Sequence, residues 1–132
     1  MPEISTIEEL HMQLHHLRQE QMELWVSTPG CQSLCALISG EVGWLMYLRQ
    51  EGDAGFSTRN PSFTGLSDAV IEYRLDNGQV DSYPASWALP LPEIQAAIEH
   101  FIRKSEPPPW LVWNNDSRDG TEIGQRSQAG TK

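Results

Sequence analysis

Three of the four histidines, both cysteines and a series of carboxylates are the residues whose types and spacing could do chemistry in this chain. His11 and His15, at i and i+4 of a helical stretch, would turn two imidazoles the same way, as a helix-borne zinc site requires. No third ligand follows at a metal spacing, and no Glu adjoins the first histidine, so the pair reads as part of a solvated helix face. Cys31 and Cys35 could offer a thiolate nucleophile to a distant histidine. Four residues apart in a β-compatible run, they would share one strand face at about 13 Å, too far to bridge, and they read as small buried hydrophobes. Asp68, Glu72, Asp76 and Asp81 could include a general acid and a general base, with His100 beside them in a pocket. Their spacing places Glu72 and Asp81 on an open sheet face, which reads as solvated acidity. Gly52, Gly55 and Ser57 resemble a phosphate cradle in composition only, because no Lys and no helix follow. No catalytic residue, metal ligand or cofactor is therefore assigned.

The elements that must carry these residues follow from pattern. A Thr6/Glu9 capping box, with Ser5/Glu8 as an overlapping alternative, and Ile7, Leu10, Leu14 and Leu17 at helical spacing predict an amphipathic helix over 7–20. "MELWVST" reads as a short strand stopped by Pro29-Gly30. "CQSLCALIS" and "VGWLMYLRQ", joined across Gly40-Glu41, read as a hairpin whose strands are apolar on both faces. Residues 51–67, "EGDAGFSTRNPSFTGLS", read as one long irregular loop.

"IEYRLDNGQVDSYPASWALP", residues 71–90, reads as a second hairpin closed by a two-residue type I′ turn at Asn77-Gly78. That turn pairs Arg74 with Asp81 and Tyr73 with Ser82. It sends Ile71, Tyr73, Leu75 and Val80 toward the core, and Val70, Glu72, Arg74, Asp81 and Tyr83 toward solvent. Pro92 then opens a helix with Ile94, Ala97, Ile98, Phe101 and Ile102 on one stripe, closed by Arg103 and Lys104. "PPP" at 107–109 forces extended chain, and "WLVWN" at 110–114 reads as the last strand. Trp44, Trp87, Trp110 and Trp113 read as core or edge-of-core packing. The expected class is α+β, an antiparallel sheet packed on two helices in a single domain over 1–116, with 117–132 as a disordered tail.

Charge narrows the partners. Residues 1–116 hold six Lys and Arg against sixteen Asp and Glu, a net −10, while 117–132 is +1. So negative a body repels phosphate backbones and anionic lipid and attracts basic surfaces, so neither direct nucleic-acid binding nor membrane binding is expected. The N-terminus lacks a basic region leading into an apolar run, and no stretch reaches the roughly 20 apolar residues of a membrane span. A cytoplasmic protein with reduced thiols is expected.

"GWLMYLR", "GDAGFSTRNP", the 71–90 hairpin and "PPPWLVWNND" together resemble the Imm-type immunity proteins of bacterial polymorphic toxin systems, over about residues 41–116. In particular they resemble the α+β family that includes the inhibitor of a double-stranded-DNA cytosine deaminase toxin. The resemblance implies a protein that binds and occludes a cognate toxin and performs no reaction. A toxin acting on nucleic acid, such as a deaminase or nuclease, needs a basic cleft, which an acidic inhibitor can cover. The partner-binding surface expected from the charge pattern joins Glu51, Asp53, Arg59, Asp68, Glu72, Asp76, Asp81 and Tyr83. A small enzyme with a carboxylate/His100 pocket and a generic sheet-edge interaction subunit are the alternative readings.

Overall fold

The computed structural model describes residues 3–17, 21–121 and 123; the end of the expected 7–20 helix and most of the expected tail lie outside the described residues. A short strand β1 (Glu3–Ile4) leads into helix α1 (Ile7–Leu17). The capping box forms as its sequence requires: Thr6 Oγ1 accepts the Glu9 N–H at 3.1 Å, and Glu9 Oε1 accepts the N–H groups of Ser5 and Thr6 at 2.8 and 3.1 Å. These bonds satisfy donors that the first helical turn leaves without partners.

Three antiparallel strands follow, β2 (Gln21–Ser27), β3 (Ser33–Ser39) and β4 (Val42–Leu48). β3 is buried on both faces, from Leu34 through Ile38, as its unbroken apolar run predicts. Cys35 lies inside this run. Cys31 does not, since it occupies the preceding turn at φ 74° and is exposed, so the two thiols share no strand face.

The stretch 51–67 is not one loop. Gly55, at φ 75°, turns the chain back into strand β5 (Phe56–Arg59), which pairs with β4. A Cβ at Gly55 would lie 2.4 Å from the Tyr47 carbonyl oxygen, so only glycine makes this turn. The strand is invisible to alternation because Phe56, Ser57 and Thr58 are all buried. Thr58 Oγ1 accepts the Leu45 N–H at 3.2 Å, and the Thr58 carbonyl accepts the Trp44 indole N–H at 3.0 Å.

The second hairpin, β6 (Val70–Arg74) and β7 (Val80–Pro84), is a separate two-stranded sheet. Its register is one residue away from the type I′ expectation: Arg74 faces Val80, Tyr73 faces Asp81 and Ile71 faces Tyr83. The loop has three residues, Asp76 to Gly78, closed by the Leu75 N–H on the Gln79 carbonyl at 2.8 Å. Gly78 takes φ 89° while Asn77 stays out of the positive region, and Asn77 Oδ1 accepts the Gln79 N–H at 2.8 Å. A type I′ turn needs positive φ at both central residues; here only Gly78 has it, and the loop is the three-residue kind that ends in a left-handed glycine. The slip turns Tyr83 and Asp81 inward and leaves Val80 45% exposed. The predicted Arg74–Asp81 pair therefore does not face across the strands.

After a 3₁₀ turn (Ala85–Trp87), β8 (Leu89–Pro90) pairs with the start of β4 and feeds α2 (Leu91–Lys104), with Pro92 in its first turn. Ser105, at φ 57°, ends it, and β9 (Val112–Asn115) pairs with β5. The main sheet runs β1-β2-β3-β4-β5-β9, with β8 joined to β4. It is mixed rather than wholly antiparallel, because β1 lies parallel to β2.

One face of this sheet packs on the helices, where Leu10 of α1 and Ile94, Ala97, Ile98 and Phe101 of α2 meet Leu24, Ile38 and Leu45. The other face packs on the hairpin, where Tyr73 meets Cys35, Leu37 and Trp44. The hairpin is thus a third layer. That double cover is why β3 carries no polar face. No described helix is long and apolar enough to cross a membrane.

Candidate partner-binding surface

The hairpin layer presents a fixed, mostly acidic outer surface. Its outward side chains are Val70, Glu72 and Arg74 on one strand and Val80, Ser82 and Pro84 on the other, with Asp68 before and Asp76 at the tip. From Leu66 to Pro84 the chain carries four carboxylates, Asp68, Glu72, Asp76 and Asp81, against the single cation Arg74. Apolar groups sit among them: Leu66 is 75% exposed and Val70 60%. The tip is tied to the main sheet. Glu23 Oε1 accepts the Asp76 N–H at 3.0 Å, Glu23 Oε2 accepts the Trp25 indole N–H at 2.8 Å, and Gln21 Nε2 donates to the Glu72 carbonyl at 3.2 Å. Glu23 and Gln21 read in sequence only as polar strand residues, and nothing local marks them as anchors for a segment about fifty positions away.

At the base of the hairpin, aromatic rings link it to β4 and β5. Tyr83 lies 4.2 Å from the Trp44 ring, Trp87 lies 5.4 Å from Trp44, and the Arg59 guanidinium stacks over Trp87 at 3.8 Å. Arg59 Nη1 donates to Ser57 Oγ and the Thr58 carbonyl, both at 2.9 Å. Burial lowers the Arg59 pKa, and the charge of Asp116 opposes that shift. Burial likewise raises the phenol of Tyr83, and Asp81 adds to it by accepting the Tyr83 hydroxyl at 3.4 Å. The structure therefore brings Arg59, Tyr83 and Asp81 into one cluster through Trp87, and holds Glu72, Asp68 and Asp76 on the outer face beside it.

Asp53 and Glu51 belong to a different place, the turn after β4. There Asp53 is a clamp: its carboxylate takes Arg49 Nε at 2.8 Å and Nη2 at 2.9 Å, and it also accepts the Arg49 N–H at 2.9 Å. The same guanidinium lies 5.0 Å from the Phe56 ring and reaches Asp119 at 2.7 Å, tying β4 to the chain beyond β9. Bonds from Arg49 hold the Asp53 carboxyl well below its usual value of 3.8, and bonds from Asn115, Thr121 and Arg49 do the same for Asp119. A carboxyl depressed in the folded state contributes stability that is fully present above its unfolded pKa and is lost as pH falls through the folded one. Unfolding free energy should therefore decline as pH drops below about 4. Asp53→Asn should flatten that decline in urea titrations run at successive pH values; an unchanged slope would remove the clamp from the acid response.

The hairpin carboxylates do not share a pocket with His100. His100 lies on α2, where it meets Glu106 at 2.9 Å and the edge of Trp110, while Asp68, Glu72 and Asp81 lie on the hairpin layer across the sheet. Hydrogen bonds from Gln95 and His11 hold the Glu99 carboxyl of α2 below its usual value. His11 meets Glu99 at 3.1 Å, joining α1 to α2. No group of three or more His, Cys, Asp or Glu among the described residues is placed to hold a metal ion.

A family model described as immunity protein Imm1 matches residues 2–115. No curated protein matches the chain.

Proposed function

The chain belongs to the Imm1 family of immunity proteins, and from that premise we propose that it acts by occupancy: it binds a cognate toxin in the cytoplasm and covers the toxin's working surface without carrying out a reaction. The toxin's surface is basic and serves nucleic acid, as in a deaminase or nuclease. The observation that carries this reading is the hairpin layer, an acidic surface with interspersed exposed apolar groups on a rigid double-faced core. Carboxylates of that density speed encounter with a cationic groove, and the apolar residues between them supply contacts that survive desolvation.

In this reading Glu72, Asp68, Asp76 and Asp81 steer and align the toxin, Arg59 and Tyr83 are anchors, Glu51 lies at the rim, and Asp53 acts by holding the Arg49 turn in place. The experiment is co-expression with the toxin encoded beside this chain, followed by stopped-flow association with the purified toxin domain. Cells should survive, and the association rate should fall about tenfold or more between low salt and physiological salt. Survival with a salt-independent rate would assign the contact to an apolar surface elsewhere, and toxicity undiminished by the chain would end the proposal.

A further inference from the structure

The hairpin covers only part of the face it packs on, and beyond it, past the buried strand β5, Val112 and Asn114 of β9 are exposed. β9 is the last strand of the sheet. The Asp116 N–H bonds the Gly55 carbonyl at 2.8 Å, which sets the phase of the β5–β9 ladder. Hydrogen-bonded pairs alternate along an antiparallel ladder, so the main-chain N–H and C=O groups of Trp113 and Asn115 turn away from β5, toward the free edge. No described residue bonds to them.

Beside this edge lies a cleft of about 310 Å³ lined by Arg59, Ser62, Glu93, Trp110 and Val112, among others. Trp110 is 54% exposed at its rim and Val112 41%. Arg59 is unusual among the cations here. Arg49 is held by Asp53 and Asp119, whereas the half-buried Arg59 spends only Nη1, on neutral oxygens, and bonds no carboxylate among the described residues. Asp116 acts on it only through space, with its Oδ1 occupied by Asn114 at 2.6 Å. A planar fork stacked on an indole and left with open donors is pre-organised for a carboxylate.

We propose that the free edge of β9 and the Arg59 cleft together form a docking groove for an extended segment of the toxin, which adds a strand beside β9 and places a carboxylate on Arg59. This rests on the toxin-inhibitor reading and makes it more specific. The partner so recognised is basic overall, to suit the hairpin, and carries one acidic residue in the segment that reaches the cleft. A second copy of this chain is disfavoured as the occupant, because it would bring together two bodies that are each −10 over residues 1–116. Main-chain bonds along an added strand give affinity, and the charge at Arg59 gives register.

Hydrogen exchange of the full chain, free and bound to the toxin domain, tests the edge without any substitution. The Trp113 and Asn115 amides should exchange quickly in the free protein and about tenfold or more slowly in the complex. Calorimetry tests the cleft: Arg59→Gln should weaken binding about 10- to 100-fold, and Arg59→Lys nearly as much, since an ammonium keeps the charge but loses the fork. A tight complex with unprotected Trp113 and Asn115 amides and unchanged affinity for Arg59→Gln would overturn the docking groove while leaving the toxin-inhibitor reading intact. Protection already present in the free chain, with sedimentation as a dimer, would also overturn it by making the edge a self-interface. Absence of any complex would bring down both.

Discussion

Asp68→Lys, Glu72→Lys and Asp76→Lys made together should slow association with the toxin about 10- to 100-fold at low salt, because each change removes an attraction and adds a repulsion on the same face. The hairpin concentrates four carboxylates against Arg74 within a stretch that Glu23 and Gln21 hold to the main sheet, so these charges move as one body. The effect should fall mainly on the association rate and shrink as salt rises, since a field acting over a Debye length of about 8–10 Å is screened first. Arg74→Ala is the control. It faces Val80 and carries no cross-strand ion pair, so its effect on stability should stay within about 0.5 kcal/mol. Stopped-flow mixing at two salt concentrations reads the result. A triple variant that associates as fast as the parent and still protects cells would show that the hairpin does not steer the toxin.

Phe101→Ala should be the most damaging single truncation of the core, costing about 3–5 kcal/mol. Its ring has no exposed surface, sits on α2 and meets Tyr47 edge-on at 6.1 Å, so its loss opens a cavity between the helices and the sheet. Native stability of a domain this size is about 5–15 kcal/mol, so the variant keeps only a fraction of it. In urea the midpoint should fall with the slope unchanged, because the surface exposed on unfolding is nearly the same. A midpoint shift below about 1 kcal/mol would mean that the α2 face repacks freely and is not the main core. Tyr73→Ala offers a comparison: the same kind of truncation in the smaller cluster should loosen the hairpin layer and speed exchange of the Leu75 amide before the sheet unfolds.

Much of this architecture is legible in the order of residues. The capping box at Thr6, the apolar stripe from Ile94 to Phe101, the proline at the start of α2 and the continuous apolar runs of β3 and β4 each rest on bonds or burial within a few positions, and each is found where its pattern places it. β5 escapes because its inward polar residues are satisfied by β4, through Thr58 on the Leu45 N–H and the Trp44 indole, contacts that composition cannot signal. The hairpin register escapes for a different reason. Asn77-Gly78 permits a two-residue turn, but the slipped pairing with its three-residue loop brings the Tyr83 ring to 4.2 Å from Trp44, an aromatic contact that nothing near Asn77-Gly78 signals.

By itself, then, the sequence determined an acidic α+β chain with two amphipathic helices, doubly covered central strands and a carboxylate-rich hairpin, since these depend on local periodicity and on summed charge. Only the tertiary structure decided which of those carboxylates face outward, that Arg49 is committed to Asp53 and Asp119, and that Arg59 bonds no carboxylate among the described residues and lies beside the last strand of the sheet. Those outcomes depend on which distant residue arrives opposite, and a one-residue slip or a single ion pair formed across the fold reassigns a side chain from surface to core without changing a letter of its neighbourhood.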